Sequence, residues 1–289
     1  MTPKMYFLKY LKFLKLHRSY VYYAVAYGFS TLIIPLGAQF LVNNLALAGI
    51  WGNIVTFMSV IGFLLILAQV LKHTQVILVE YLQREIFFTE IKRWRHLANP
   101  KCSHYYFEIY NMLKSFSKSY SDLIDLGLVA SFGLLTIVIF HPAFLLVPVS
   151  VALVLFLVKR SFKSAYETSI LESNQKYLLY NELVADTGPS EELIHNYLDA
   201  RDDHYLYVRR ISFQISALHV FCQFYVLVVG CYLIQIHQLS VGQLVAAEII
   251  ISGVMSSLLK LPNSLESLYD FETSHYKIEK ALKKEAHEA

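Results

Sequence analysis

Six long apolar stretches, joined so that every lysine and arginine lies on one side of them, constrain this chain more than any other feature. They fall at about 21–41, 54–71, 123–140, 143–158, 211–236 and 241–261. A helix of ~20 residues, rising ~1.5 Å per residue, crosses a hydrocarbon core of ~30 Å. Arg18 precedes the first stretch and Lys72 follows the second. Lys114 and Lys118 precede the third, and Lys159 and Arg160 follow the fourth. Arg209 and Arg210 precede the fifth, and Lys260 and Lys277 follow the sixth. The intervening turns, Leu45 to Gly52, His141-Pro142 and His237 to Ser240, hold none of the 25 basic residues. Each pair is therefore a hairpin that returns to the side it left. Hydropathy alone would let the third and fourth stretches form one helix; the basic flanks and the His141-Pro142 break divide them. Under the positive-inside rule the basic side is the cytoplasm. The expectation is a multi-pass inner-membrane protein with both termini cytoplasmic. A mean hydropathy of +0.44 and 56% hydrophobic residues argue against an ordinary soluble domain. A net charge of +3 offers no footprint for nucleic acid.

The rest of the chain also reads as helix. Residues 1–18 place Lys9, Lys12 and Lys15 on a basic stripe among Phe7, Leu8, Leu11 and Leu14. That pattern suits an amphipathic elbow helix lying in the membrane interface. Residues 72–122 and 159–210 are too long for loops and lack linker composition. Val79, Leu82, Ile86 and Phe87 keep helical spacing. Spans two to five are thus expected to continue as helices and project two long cytoplasmic helical hairpins. Their tips fall near Ala98 to Ser103 and near residues 181–190. Residues 272–289 read as a charged, solvated helical tail. The fold class is all-α membrane protein: an elbow (1–18), a six-span domain (19–271) and the tail. Cys102, Cys222 and Cys231 form no CxxC pair and read as small buried hydrophobes. His96, His104, His195 and His204 read as solvated, and the 11 histidines show no metal-ligand spacing. No signal-peptide cleavage pattern follows the basic start, so the first span is expected to stay as an anchor.

Several local patterns occur in a telling order. Leu32-Ile-Ile-Pro-Leu-Gly-Ala-Gln-Phe-Leu-Val-Asn-Asn44 carries a proline and polar residues in the first span. Tyr81-Leu-Gln-Arg-Glu-Ile-Phe87 leads to the first tip. His141-Pro142 turns between spans three and four. Leu239-Ser-Val-Gly-Gln-Leu-Val-Ala-Ala-Glu248 opens the sixth span, and Leu268-Tyr-Asp and Lys277-Ile-Glu-Lys-Ala-Leu282 follow it. With the spans, elbow and hairpins, these resemble the transmembrane domain of the ABC exporter superfamily, of the bacterial-exporter or type I secretion kind. The resemblance covers nearly the whole chain. It implies a translocation pathway built by two copies, or by one copy and a similar subunit, driven by an ATPase. No glycine starts the phosphate loop G-x-x-x-x-G-K-[ST], so ATP and Mg²⁺ are expected on a separate ATPase subunit. Leu239-Ser-Val-Gly-Gln243 only superficially resembles the ABC signature, because it opens a span at the far side. The first tip also departs from the family, lacking the glycine that usually follows its aromatic residue.

The resemblance assigns coupling helices to Tyr105–Leu113 and to about Leu171–Leu183. Tyr105, Tyr106, Phe107 and Tyr110 in the first, and Tyr177 and Tyr180 in the second, are the candidate anchors for the ATPase. Glu248 and Ser252 in the sixth span, with Gln39 and Asn43 in the first, are the candidate pathway-lining residues. A carboxylate within a span needs a bundle interior, a partner or water. Polar groups in spans also serve as interhelical glue. The chain is expected to hold no catalytic, cofactor or metal site of its own. Membrane lipids and, by the resemblance, a periplasmic adaptor complete the expected partners. An ATPase-free scaffold or regulatory subunit of a secretion or envelope complex is the alternative.

Overall fold

The structure, a computed structural model, describes residues 17–48, 51–95, 103–184 and 188–288. The elbow of residues 1–16 and the tip residues 96–102 and 185–187 lie outside the described residues. Among the described residues, eight α-helices follow in order: α1 His17–Ser30, α2 Ile33–Ala48, α3 Trp51–Arg95, α4 Ser103–Phe140, α5 Leu146–Val184, α6 Glu191–Gln235, α7 Val241–Leu258 and α8 Leu261–Glu288. A 3-10 turn, Pro142–Leu145, joins α4 to α5, with His141 accepting from the Ala143 N–H at its start. Among the described residues, six helical segments are long and apolar enough to cross a membrane. Helix is what lipid demands, because each backbone N–H and C=O must find its partner within the segment.

The first span is two helices rather than one. Pro35 occupies the third position of α2. In a continuous helix its ring would press on the Thr31 carbonyl and leave that oxygen without a donor. The chain turns at Thr31-Leu32 instead, and Leu32 N–H bonds Phe29 O at 3.1 Å. The Thr31 hydroxyl donates to Gly28 O at 2.7 Å, and the Ser30 hydroxyl to Ala26 O at 2.9 Å. The Thr31 hydroxyl thus covers the Gly28 carbonyl, whose helical donor, the Leu32 N–H, has gone to Phe29 O.

The helices α3 to α6 are single helices of 45, 38, 39 and 45 residues. At ~1.5 Å per residue they are about 55 to 70 Å long, well past a ~30 Å core. No separate short helix exists at Tyr105–Leu113 or Leu171–Leu183: the first lies within α4 and the second within α5. Neither stretch holds a glycine or proline to interrupt the helix.

Helix α7 sits at the centre and packs on α2, α4 and α6. The apolar window of the segment that starts with α7 is 44% buried, against 6% for α3, which faces outward. Small residues allow the close approach. A Cβ at Gly133 of α4 would meet Val254 at 2.7 Å, and one at Gly230 of α6 would meet Leu244 at 2.3 Å. Past the turn at Leu259-Lys260, α8 resumes with Pro262 in its first turn, where its missing N–H does no harm. The expected solvated tail does not hold over its first part. Glu272, Thr273, Ser274, His275 and Ile278 are buried. Helix α8 is the axis of the basic end, packed along α4 and gripped by α5 and α6. Tyr269 and Phe271 of α8 pack with Phe116, Phe162 and Tyr166. Charged residues at 270, 272 and 277 mask this apolar face in a sequence reading.

Candidate functional site

The sixth span is held at its start by a capping box: Ser240 Oγ accepts from Gln243 N at 3.1 Å, and Gln243 Oε1 accepts from Ser240 N at 2.8 Å. Asn43 of α2 completes it. Its Oδ1 accepts from Gly242 N at 3.0 Å, and its Nδ2 donates to Ser240 Oγ at 3.2 Å. A helix N-terminus exposes N–H groups with no partner in the helix; Asn43 supplies one from a neighbouring helix. One turn earlier, the backbone oxygen of Gln39 lies against Gly242. Gln39 and Asn43 therefore both meet α7, and Asn43 does so as a clamp.

Leu244, Glu248 and Ser252 recur every four residues and form one stripe on α7. Leu244 lies against Gly230, and Ser252 Oγ accepts from Gln223 Nε2 at 3.3 Å, so both ends of the stripe face α6. Glu248 lies between them, on the α6–α7 seam. It is half-buried, and its Oε1 is buried without a partner among the described residues. His219 of α6 has a buried Nε2 in the same condition. The antiparallel register of Gln223 and Ser252 puts His219 level with Ser256, two turns from Glu248, so the two do not meet. The Ser256 and Ser257 hydroxyls turn back onto Ser252 O and Gly253 O of their own helix, at 2.7 and 3.1 Å. Among the described residues the seam thus offers one carboxyl able to hold a proton or a cation, one turn from the Gln223–Ser252 pair.

At the basic end, a polar cluster locks α5, α6 and α8 together. Glu172 of α5 accepts from Arg201 Nη1 at 2.7 Å and lies 2.5 Å from His204 Nδ1. An ionised carboxylate only accepts, so the pair requires the proton on Nδ1. Arg201 also reaches Glu266 of α8 at 3.5 Å, and the His204 ring stands edge-on to Tyr269 at 6.0 Å. Burial alone would push the Glu172 carboxyl up. The hydrogen bonds from His204 and Arg201, with their charges, outweigh burial and hold it below its ordinary value. The bond to Glu172 raises the Arg201 guanidinium in turn, against burial. Burial raises the Tyr269 hydroxyl. His204 is 2% exposed, so the expectation that it is solvated fails. Asp199, Asp202 and Asp203 around it conceal a buried polar position in a charged stretch.

On the side toward the membrane, Lys72 of α3 bonds Asp125 of α4, and Gln75 Nε2 donates to Tyr23 O of α1 at 3.1 Å. Ser119 donates to Ser264 O and Ser264 to Asp122 Oδ2, both at 3.1 Å, tying α4 to α8. Sequence reading missed all of these groups. Only Asp125, an acid inside an apolar stretch with Lys72 at the same basic boundary, carried a signal.

The candidate anchors are placed unevenly. Tyr105, Tyr106 and Phe107 fall in the first turns of α4 and Tyr180 near the end of α5, and their side chains lie outside the described residues. Tyr110 is exposed. Tyr177 faces α8, with Lys277 Nζ 5.6 Å from its ring centre. Cys222 is buried against Ser150 and Cys231 is exposed on the apolar surface, where a buried position was expected. No protein-family model matches the chain, and no curated protein is significantly similar to it.

Proposed function

We propose that this chain is the transmembrane subunit of an ATP-driven exporter of the ABC type. Two copies, or one copy and a similar subunit, would form the pathway, and a separate ATPase would bind ATP and Mg²⁺. The reading is carried by one observation: four spans run unbroken far past bilayer thickness. In this scheme they act as levers between the membrane and the ATPase. The Glu172–Arg201–Glu266 cluster supports it, because it grips α8, which follows the central α7 after a two-residue turn. Movement of the α5–α6 tip would pull on α8 and shift the Glu248 seam. The basic ends are the cytoplasmic ends in this scheme, and Glu248, about 10 Å from the far turn at ~1.5 Å per residue, serves cargo release or protomer contact.

Affinity purification of the full chain from its native membranes, in neutral detergent, tests the scheme. An ATPase subunit should co-purify and be lost from Tyr106→Ala or Tyr180→Ala chains that still elute as folded protein. An ATPase retained equally by both variants refutes the assignment of the tips. Co-purification of envelope proteins with no ATPase refutes the transporter reading and leaves the scaffold.

A further inference from the structure

The basic end holds a recess that begins beside the anchor candidate Tyr177 and runs toward the membrane. Three helices each turn a polar stripe into it: Glu108, Lys114 and Lys118 from α4, Lys176 from α5, and Asp270 and Lys277 from α8. Its volume is about 560 Å³, within the range of small-molecule sites, ~300–1,000 Å³. Four lysines face two carboxylates, and one pair is internally satisfied. Lys277 Nζ donates to Glu108 Oε1 at 3.3 Å and to Ser173 O at 3.2 Å, while the Ser274 hydroxyl takes Glu108 Oε2 at 2.9 Å. Lys114, Lys118 and Lys176 form no salt bridge among the described residues. Three exposed lysines on two helices line one concavity, with Asp270 as the remaining acid. Like charges along one concave surface add to a common positive potential. An anion seated there accepts their hydrogen bonds.

We propose that this recess binds a phosphate-bearing anion, with Lys114, Lys118 and Lys176 as its ligands. The inference stands apart from the export reading. Lys118 precedes Leu123, the first residue of the third apolar stretch, by five positions, or about 7 Å along the helix. The recess therefore starts near the membrane surface and extends toward the tip. A lipid phosphate enters from one side and a free phosphate from the other, and the recess offers both the same chemistry.

Asp270 tunes the site. It is open to the recess, yet protein surrounds it on most sides. Burial, with Glu266 beside it on α8 and Glu172 across on α5, pushes its carboxyl up to about 6, against Lys176 of α5 and His204 of α6. Lys114 and Lys118 face the same recess from α4. Removing its charge leaves the lysines unopposed.

The test uses the full chain in phosphatidylcholine nanodiscs. Calorimetry at low salt measures inorganic pyrophosphate, and native mass spectrometry measures phosphatidic acid retained when it is doped into the disc. At least one probe should bind, at one site per chain. That binding should weaken ~10-fold or more in Lys118→Gln/Lys176→Gln. It should stay within ~3-fold in Lys118→Arg/Lys176→Arg and tighten in Asp270→Asn. Pyrophosphate binding in pure phosphatidylcholine identifies a free anion; phosphatidic acid retention alone identifies a lipid headgroup. Failure of the wild type to bind either probe overturns the proposal, as does equal binding by the glutamine variant. Should that variant misfold, unchanged or weaker binding by Asp270→Asn overturns it.

Discussion

Gly242→Ala adds one methyl group at the start of the sixth span, and the structure predicts a large cost. The new Cβ would lie 2.5 Å from Asn43 Oδ1 and 2.5 Å from the backbone oxygen of Gln39. The amide can swing away, but the carbonyl belongs to α2 and cannot. Relaxed C···O contact begins near ~3.3 Å, so the first turn of α7 must retreat by roughly 0.8 Å. Overpacking of this kind costs ~1–3 kcal/mol. The same retreat stretches the Gly242 N to Asn43 Oδ1 bond of 3.0 Å and the Asn43 Nδ2 to Ser240 Oγ bond of 3.2 Å, each worth ~0.5–1.5 kcal/mol. The better helix propensity of alanine returns less than ~1 kcal/mol. The net loss is about 2–4 kcal/mol, or a fall in Tm on the order of 5–10 °C, read by scanning fluorimetry of detergent-solubilised chain. Gly62→Ala and Gly127→Ala are the controls. A Cβ there meets nothing within 4 Å, so the propensity gain stands alone and Tm should hold or rise slightly. Asn43→Ala/Gly242→Ala should not recover stability, because the Gln39 carbonyl remains. A Gly242→Ala chain as stable as the controls, or full rescue in the double variant, refutes the close approach of α2 and α7.

Glu172→Gln keeps the shape of the carboxyl but removes its charge from His204 and Arg201, and should cost ~1–3 kcal/mol by thermal melt at neutral pH. The folded carboxyl sits below its ordinary value of 4.5. Its stabilisation is therefore fully present above about that pH and is lost as pH falls through the lowered folded value. Wild-type and Glu172→Gln melting temperatures should converge in acid, and parallel curves would sink the assignment. Glu248→Gln is expected to leave Tm unchanged or raise it, because a buried carboxyl oxygen without a partner gains nothing from charge. A clear fall in Tm would mean that Glu248 has an ionic partner, and native mass spectrometry would then show whether a second copy supplies it.

Much of the architecture is written in local composition. Apolar length and one-sided lysines and arginines mark six spans, three hairpins and the long continuations of α3 to α6. The reason is that transfer of a segment into lipid is nearly a sum over its own residues, and topology follows the charges beside it. Pro35 shows the limit of such reading: it lies in plain view, yet the structure divides the first span at Thr31-Leu32, where the Thr31 hydroxyl covers the Gly28 carbonyl.

What only the tertiary structure decided is which faces meet. Asn43 clamps Gly242 from 199 positions away, and nothing near either residue announces the other. Residues 272–278 look solvated because their charges are counted, but α4, α5 and α6 enclose α8 and bury Glu272 and His275 with Phe271. His204 looks like one more polar residue among aspartates until Glu172 of another helix reaches it. Span count is a property of segments and survives in the one-dimensional pattern. Clamps, buried ion pairs and the lysine recess are properties of pairs and triplets of helices, and they exist only once packing has chosen the partners.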